Sequence, residues 1–456
     1  MLQRAREVAD IIKKAKKIHI VTHIDADGIT AGAIAVQTVQ RLHIPYSIEC
    51  VKQLDELILK RLADENHNLV WFTDLGSGIS TSYPDINKVI TDHHSCPEHS
   101  NLAFHFNPHL FGADGSYDMS GAGATYFVSK ALDKNNTDLS TLAIVGACGD
   151  LQDKKYCCFT GTNKEIIADG QNANVLKSRM DIRYFGRETR PLAKLLQFSS
   201  DPFIPGLSRR EDACLQFLHQ HNIRIKDGDY WRRWVDLEKH ERKIIISGLA
   251  QILLTKGFGH ESVKRLVGET VLLIKEKKAT ELHDAKEFAT LLNSTARYGQ
   301  HEVGLNVCLG NRDEDLKKAR NLLRGHRTNL VQGLQFAREE EITKREYIQF
   351  FHAKDGIRDT IIGIVTNMLL SSEDIDSSIP LIGFAYTENG DVKVSARATQ
   401  MLIDKGLNLS TAIKKSSKEL GGIGGGHDIA AGATIPKGKE EEFLVLIEKE
   451  IKSQLS

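Results

Sequence analysis

Aspartate and histidine side chains recur in four short motifs within the first 150 residues of the chain. In sequence order the motifs are HIDADG at 23–28, TDLG at 73–76, TDHH at 91–94 and GACGD at 146–150. Carboxylates held within a few ångströms of one another repel, so their pKa values rise unless a cation compensates for the charge. A ligand set rich in Asp, with His but without Cys, suits Mn²⁺ or Mg²⁺, and the imidazoles favour Mn²⁺. The motifs therefore predict a divalent metal site if the fold brings them together.

A pair of metal ions would accommodate all of these side chains. Two ions that share a carboxylate typically activate a water and stabilise both oxygens of a phosphoryl displacement. We expect Asp74 to bridge the ions, because it follows the strand between the other two ligand clusters. The remaining expected ligands divide between the two ions: His23 and Asp25 on one, and Asp27, His93 and Asp150 on the other. His94 is then free to donate to a phosphate oxygen or to the leaving group.

Each motif also has an ordinary interpretation when it is taken alone. DADG is more often a turn or a helix N-cap, a histidine pair usually lies on the surface, and Asp74 could simply cap a strand end. What favours the metal site is their joint occurrence, since the first three motifs all follow predicted strands. The sequence therefore predicts metal-dependent hydrolysis.

The elements that must position these motifs follow from the hydrophobic pattern. KKIHIVTH, NLVWFTDLG, INKVITDHH and LAFHFNP are strand candidates, and the helical pattern ITAGAIAVQTVQRL follows the first of them. Alternating strands and helices indicate an α/β domain with a doubly wound, mainly parallel sheet, whose strands deliver their C-terminal ends to one ligand-binding edge. STLAIVGACGDLQD fits a buried helix or a strand, and its length favours a helix.

We predict three parts in the chain: a metal-binding catalytic domain at 1–160, a helical insertion or linker at 161–340 and a smaller α/β domain at 341–456. The middle part is charged and helical in pattern, whereas EYIQFFHA, IPLIGFAYTE and DVKVSARAT restore strand signals after it.

Composition says more about the cell compartment of the protein than about its binding partner. The 60 basic and 60 acidic residues balance, which gives no hint of nucleic acid, although a local basic groove can hide in a neutral total. The seven cysteines are scattered and show no CxxC spacing, so a disulfide scaffold or a structural zinc site is not expected. Without a signal-peptide core or an apolar run of membrane length, we expect a cytoplasmic protein with no membrane partner.

The four motifs, in this order, resemble those of the DHH phosphoesterase superfamily. That superfamily includes RecJ-type exonucleases, oligoribonucleases, cyclic-dinucleotide phosphodiesterases and manganese pyrophosphatases. The glycine-rich GGIGGGHDIAAGATI resembles the signature of the companion DHHA1 domain. SGAGAT at 120–125 resembles the family's small-residue helix start, which implies packing rather than chemistry. The resemblance implies two Mn²⁺ ions, with Mg²⁺ as a substitute, on the same ligands proposed above, and His23 as a further ligand. The His-x-Asp-x-Asp spacing favours the RecJ branch, and Asp92 is implied to orient a ligand rather than to bind metal.

Substrate contacts are also implied by the resemblance. EFATLLNSTARYG is similar to a RecJ motif that precedes DHHA1, with Ala296 where a glycine is usual, and it implies roles for Asn293 and Arg297. The implied contacts from the DHHA1 domain are Ser395, Arg397, Gly425, Gly426 and His427. An arginine fork and backbone amides of glycines suit a phosphate. The family architecture implies an active site in the cleft between the two lobes.

The activity implied by the resemblance is a single-strand-specific exonuclease of DNA replication and repair. It would act 5′ to 3′ on DNA, with RNA as an alternative substrate, and release nucleoside 5′-monophosphates. Size and motif order are most like archaeal RecJ-like proteins, some of which bind the GINS replication complex. The alternatives are an oligoribonuclease or cyclic-dinucleotide phosphodiesterase, and a catalytically silent replication scaffold on the same fold.

Two segments that are rich in basic and aromatic residues each allow two interpretations. DIRYFGRETR at 181–190 and WRRW at 231–234 combine arginines with aromatic rings, as a single-strand binding track does. Both segments equally fit an ordinary helix whose aromatic side chains enter a core.

Overall fold

The computed structural model describes residues 1–79, 81–96, 101–372 and 375–455. It divides the chain into two compact units, Met1–Arg320 and Asn321–Ser456. The second unit thus begins inside the segment 161–340 for which an insertion is predicted. The boundaries after residues 160 and 340 stay predictions.

The first unit opens on a parallel sheet, as the sequence predicts, and this sheet has five strands. Its elements are α1 (Leu2–Lys14), β1 (Ile18–His23), α2 (Ala26–Arg41), β2 (Tyr46–Val51), α3 (Glu56–Asp64), β3 (Val70–Thr73), β4 (Lys88–Thr91), β5 (His105–Phe106), α4 (Gly121–Leu132) and α5 (Ser140–Gly149). The strands lie in the order β2–β1–β3–β4–β5, and every pair is parallel. The segment that carries GACGD is a helix, α5, as its length favoured.

Burial on both faces explains why these short strands form a parallel sheet. Phe72 on β3 packs in a core that also contains Leu59 and Leu62 of α3. On the opposite face, the hydroxyl of Thr91 on β4 meets that of Thr125 on α4 at 2.8 Å. Helices therefore cover both faces, which is typical of a doubly wound fold whose strands are continuously apolar.

The edge strand β2 was missed by the sequence analysis. Five of its six residues are only half-buried, and its sequence YSIECV lacks a continuous apolar run. Because β2 lies at the outer edge, beyond β1, the three motif-bearing strands β1, β3 and β4 still lie side by side. Their C-terminal ends therefore meet at one edge of the sheet.

The rest of the first unit is mostly helical, with two small antiparallel sheets that the charged pattern did not predict. Its elements are α6 (Gly161–Asn172), β6 (Leu176–Ile182), α7 (Leu192–Gln197), α8 (Glu211–Gln220), β7 (Lys226–Asp227), β8 (Tyr230–Trp231), α9 (Lys239–Thr255), α10 (Gly259–Lys264), β9 (Val267–Leu273), α11 (Ala285–Arg297) and α12 (His301–Cys308). β6 pairs with β9, and β7 pairs with β8 in a short hairpin. Helix α13 (Glu314–Glu339) includes the division between the units.

The second unit is a smaller α/β domain. Its elements are β10 (Thr343–Lys344), β11 (Gln349–His352), α14 (Ile362–Leu370), β12 (Leu381–Tyr386), β13 (Val392–Arg397), α15 (Gln400–Asp404), α16 (Leu409–Glu419), β14 (Ile423–Gly426), β15 (Ala430–Ile435) and α17 (Glu440–Leu455). The six strands lie in the order β10–β11–β12–β13–β15–β14. Across the residues that the structure describes, no helix combines the length and the apolar character needed to cross a membrane.

Burial decides between the two interpretations of DIRYFGRETR in favour of interior side chains, although the segment continues from β6 and is not a helix. Arg183, Tyr184 and Arg187 are buried, while Phe185 and Arg190 are half-buried. The Arg187 guanidinium forms an ion pair with Asp284, whose carboxylate also caps the start of α11. The segment therefore braces α11, and its charged and aromatic side chains belong to the interior rather than to a surface track.

WRRW divides between the two interpretations. Trp234 is fully buried and donates its Nε1–H to Asp181 Oδ1 at 2.8 Å, and the buried Arg232 pairs with Glu241 at 2.7 Å. Trp231, by contrast, lies on the β7–β8 hairpin and is 43% exposed. Only this one tryptophan of the segment remains available to a ligand.

Substitution of Arg187 tests whether this side chain is structural. Arg187→Ala should lower the free energy of unfolding by about 3–5 kcal/mol, because it leaves the buried Asp284 carboxylate without its partner. Urea unfolding followed by circular dichroism measures the loss. The control is Arg224→Ala, which removes an exposed ion pair with Asp227 and should leave the midpoint unchanged. An Arg187→Ala protein that unfolds at the wild-type urea concentration would contradict the brace.

Candidate metal centre

Side chains from the ends of β1, β3 and β4 converge around Asp74. His23 Nδ1 lies 3.1 Å from Asp25 Oδ1 and 3.6 Å from Asp74 Oδ2. His93 Nε2 lies 3.3 Å from the other Asp74 oxygen, Oδ1. The Asp74 carboxylate therefore has one oxygen beside each histidine, a position that suits a bridging ligand.

A second cluster adjoins the first at His93. Its Nε2 lies 3.2 Å from Asp150 Oδ2 and 3.7 Å from Asp27 Oδ2. Three groups of ligand atoms, each within 4.8 Å, could hold a metal ion: His23 with Asp25 and Asp74, Asp27 with His93 and Asp150, and Asp74 with His93 and His94. The first two groups coincide with the division of ligands that the sequence analysis expects.

Two buried atoms in the centre lack hydrogen bonds. His23 Nδ1 and Asp74 Oδ1 have no hydrogen-bond partner among the described residues, even though polar atoms lie close to both. Buried polar atoms of this kind nearly always have a partner. The atoms converge on shared space instead of bonding to one another, so the residues present fit a divalent cation.

The buried carboxylates of the centre need a compensating positive charge. Burial and the neighbouring Asp74 carboxylate raise the pKa of Asp27 to about 7, and burial and Asp27 raise the pKa of Asp150. Burial opposes a charged His23, but Asp25 and Asp74 outweigh it and raise the pKa of His23 to about 11. Protons on the histidines or metal ions can supply the compensating charge, and metal binding displaces those protons.

The N-terminus of α4 holds Asp27 in place. The backbone N–H groups of Gly121 and Ala122 donate to Asp27 Oδ2 and Oδ1 at 2.7 and 3.0 Å. A Cβ atom on Gly121 would lie 2.3 Å from Asp74 Oδ1, so the close approach requires glycine at this position. SGAGAT thus does more than the packing that the family resemblance implied, because its amides bind a predicted ligand.

Asp92 links the DHH motif to the backbone around it. Its carboxylate accepts the N–H groups of Ser77 and His93 at 2.9 and 2.7 Å, and it lies 2.8 Å from His94 Nδ1. Asp92 is buried, whereas the His94 side chain is 59% exposed. This placement agrees with an orienting role for Asp92 and leaves His94 Nε2 available to a substrate.

A buried glutamine that sequence analysis missed binds the same backbone carbonyl that orients His93. His93 Nδ1 donates to the Gly115 carbonyl at 2.7 Å, because a carbonyl oxygen can only accept, and this leaves Nε2 as the ligand atom. Gln152 Nε2 donates to the same carbonyl at 2.8 Å, and Gln152 Oε1 accepts from Asn163 Nδ2 at 2.7 Å. Its place two residues after Asp150 was the only sequence signal for Gln152.

Helix α11 brings Asn293 and Arg297 to the first motif. Asn293 Oδ1 accepts the N–H of Ala26, between Asp25 and Asp27, at 3.0 Å. Burial lowers the pKa of Arg297 and nearby Asp25 opposes that shift. Among the described residues Arg297 has no ion-pair or hydrogen-bond partner, so its guanidinium is available to an anion.

The predicted contacts of the DHHA1 region lie in the second unit. Ser395 and Arg397 are on β13, Ser395 is buried, and Arg397 Nη1 donates to the Ala396 carbonyl at 2.8 Å. Gly425 and Gly426 belong to the edge strand β14, and the exposed His427 begins the turn into β15. The glycine-rich stretch is therefore paired strand rather than a flexible loop. The predicted cleft between lobes stays a prediction.

Two family models match the chain. A DHH-CID domain covers residues 184–267, within the predicted insertion, and a DHHA1 domain covers residues 346–453. An uncharacterized protein of Methanocaldococcus jannaschii is 30% identical over 472 residues, with 100% of both proteins aligned.

Solved structures share the fold at low sequence identity. RecJ of Thermus thermophilus in complex with Mn²⁺ matches with a TM-score of 0.61 and 17% identity over 99% of this chain. That match covers 55% of the RecJ chain, so the present chain spans about half of its length. Cdc45 from Entamoeba histolytica matches with a TM-score of 0.66 and 11% identity over 98% of this chain and 97% of that one.

The parallel sheet, the helical region and the DHHA1 domain together define a RecJ-like fold. The chain belongs to the DHH/DHHA1 superfamily.

Removal of the Gln152 side chain should weaken metal binding without exposing a core. We expect Gln152→Ala to reduce Mn²⁺ affinity by about 10–100-fold, because the carbonyl that orients His93 loses its second donor. Isothermal titration calorimetry measures the affinity, and the exposed Gln220→Ala serves as the control. Equal affinities in the two variants would remove Gln152 from the account.

A pair of glycine substitutions tests the close packing behind Asp27. A Cβ atom on Gly146 of α5 would lie 2.3 Å from Asp27 Oδ1 and 2.6 Å from Ala122 Cβ. Gly146→Ala should therefore destabilise the protein, although alanine is favoured over glycine in helices by about 1 kcal/mol. Gly325→Ala, on an open face of α13, should show only that favourable effect. The measurement is the temperature of thermal unfolding, and a rise in that temperature for both variants would contradict the close packing around Gly146.

Proposed function

We propose that the chain is a Mn²⁺-dependent phosphodiesterase that acts as a single-strand-specific exonuclease. It degrades DNA from 5′ to 3′, with RNA as an alternative substrate, and releases nucleoside 5′-monophosphates. The observation that supports this proposal is the convergence of carboxylates and imidazoles from three adjacent strands on Asp74. A scaffold without catalysis has no physical need for so many buried acids in one place.

The proposed metal ligands are the residues of the two clusters. Asp74 would contribute to both ions, and the other ligands would be His23 and Asp25 for one Mn²⁺ and Asp27, His93 and Asp150 for the other, with Mg²⁺ as a substitute. When bound, the ions would activate water and stabilise charge on the phosphate oxygens. The Mn²⁺ and Mg²⁺ complexes of Thermus RecJ support the choice of metals.

The other site residues have proposed roles around the phosphate. Asp92 holds His94, which donates a proton to a phosphate oxygen or to the leaving oxygen. Arg297 binds the phosphate, and Asn293 fixes the backbone between two ligands. The proposed contacts from the second unit are Ser395, Arg397, Gly425, Gly426 and His427.

The cellular role and the partners rest on the family resemblance. We place the chain in DNA replication and repair in the cytoplasm, with single-stranded nucleic acid as its substrate and the GINS complex as a candidate protein partner. An oligoribonuclease or cyclic-dinucleotide phosphodiesterase would need only short substrates, and the helical region of the first unit argues for longer ones.

A silent replication scaffold is the second candidate from another class. The observation in its favour is that the fold extends to Cdc45 from Entamoeba histolytica as well as to RecJ, so the fold alone does not decide for catalysis.

Substitution of the central carboxylate separates these candidates. Wild-type protein with Mn²⁺ should shorten end-labelled single strands of about 30 nucleotides faster than a dinucleotide, since the longer strand reaches more of the protein. Asp74→Asn should lose activity by more than roughly 100-fold, the largest loss expected even for groups that only support a metal ligand. Both end labels are needed, because they report the polarity of cleavage.

Asp10→Asn on the exposed face of α1 is the matched control. Preference for the dinucleotide would favour the short-substrate enzymes. Wild-type protein without hydrolysis would favour the scaffold, and full activity in Asp74→Asn would contradict the bridging role.

A further inference from the structure

The segment that follows Asp150 reverses the usual pattern of burial. Gln152 and Asp153 are 0% and 2% exposed, whereas the apolar Leu151 and the aromatic Tyr156 are 51% and 52% exposed. Polar side chains are normally outside and large apolar ones inside. The reversal presents an apolar surface to solvent directly beside a predicted metal ligand.

The buried polar side chains hold this segment rigidly. Gln152 donates to the Gly115 carbonyl, as described above, and the Asp153 carboxylate pairs with Lys286 Nζ on α11 at 2.6 Å. Leu151 and Tyr156 are therefore exposed on an anchored segment, so their exposure does not result from a loose chain. An anchored apolar surface loses little entropy when a ligand binds to it.

Leu151 also has a backbone conformation that leucine rarely adopts. Its φ angle is +58°, in the left-handed region, whereas the neighbouring Asp150 has φ −85°. Strained residues of this kind cluster at ligand sites, where the surroundings enforce them. The strained backbone and the exposed side chain are two separate observations on the same residue, and each favours a ligand.

Aromatic and basic side chains also contact one another on this segment and on the loop that carries Tyr117. The rings of Tyr156 and Tyr117 meet edge to face with centroids 5.9 Å apart. Lys155 Nζ lies 4.2 Å from the Tyr117 centroid and 5.1 Å from that of Tyr156. Tyr117 belongs to the loop whose Gly115 carbonyl orients His93, so both sides of the surface are attached to the metal centre.

We propose that Leu151, Tyr156 and Tyr117 form a stacking subsite for one unpaired nucleobase of the substrate, with Lys155 beside it for the sugar–phosphate backbone. The inference rests on the proposed function, because it assumes that a nucleotide phosphate lies at the metal centre. Leu151 directly follows the proposed metal ligand Asp150, and consecutive Cα atoms are about 3.8 Å apart. A base attached to that phosphate is therefore within reach of Leu151. Every base has a π-face, so the subsite binds bases without sequence preference, and only an unpaired end can offer that face.

The test compares binding of strands with and without a terminal base. The probes are an internally labelled oligothymidylate and two versions with an abasic residue at the 5′ or the 3′ end, all with phosphorothioate linkages that slow hydrolysis. Fluorescence anisotropy with Mn²⁺ measures affinity. For wild-type protein, loss of the base at one of the two ends should weaken binding at least about fivefold, the lower range for one stacked base.

Variants identify the residues that recognise the base. Tyr156→Ala and Leu151→Gly should bind the intact and abasic strands equally, because the stacking surface is lost. Glycine suits the left-handed backbone at position 151, so this variant removes the side chain without a new strain. Tyr156→Phe keeps the ring, and Val445→Ala removes an equally exposed apolar side chain in the second unit, so both should keep the wild-type difference.

The outcomes separate this inference from the proposed function. A wild-type protein that binds intact and abasic strands equally, or a Tyr156→Ala protein that still distinguishes them, overturns the subsite. Hydrolysis of the same strands with ordinary phosphodiester linkages is measured in parallel. Hydrolysis without base-dependent binding overturns the subsite alone, whereas base-dependent binding without hydrolysis supports the subsite and overturns the exonuclease.

Discussion

Repulsion among buried carboxylates is the constraint on which the rest of the structure depends. Asp27, Asp74 and Asp150 all lie within 3.7 Å of His93 Nε2, in surroundings that disfavour charge. The amides at the start of α4 offset part of that charge at Asp27, and the histidines offset part of it at Asp74. His23 Nδ1 and Asp74 Oδ1 still have no hydrogen-bond partner among the described residues. A divalent cation would supply the missing partner and the remaining positive charge.

The parallel sheet makes such a concentration of charge achievable. β1, β3 and β4 are adjacent and parallel, so the first polar residues after each strand lie at the same edge. Support then comes from elements far away in sequence: α4 holds Asp27, the loop at Gly115 holds His93, and α11 holds the backbone at Ala26. The buried Arg187–Asp284 ion pair connects α11 in turn to the helical region.

The predictable part of the site was the part carried by residue type. Apolar runs that end in Asp or His identified β1, β3 and β4, and the metal clusters combine the residues that those motifs supplied. Backbone groups have no such signature, so the Gly115 carbonyl, the Gly121 amide and the role of Gln152 could not be predicted. Composition left DIRYFGRETR open between two interpretations, because an arginine that is buried against a helix cap is the same residue type as one that binds nucleic acid.

The residues that follow Asp150 connect the metal centre, where the phosphate would bind, to the proposed subsite for the base. One short segment supplies a predicted metal ligand, two buried anchors and two exposed apolar side chains. The hydrogen bonds of Gln152 would then support both the geometry of the metal centre and the recognition of an unpaired base. A substitution of Gln152 would therefore affect both.

Crystallography with anomalous scattering from Mn²⁺ tests the central claim most directly. The account predicts two peaks roughly 3.5–4 Å apart, one beside His23 and Asp25 and the other beside Asp27, His93 and Asp150, with Asp74 in contact with both. A crystal soaked in Mn²⁺ that shows no peak at this edge of the sheet, or a peak that Asp74 does not contact, would contradict it.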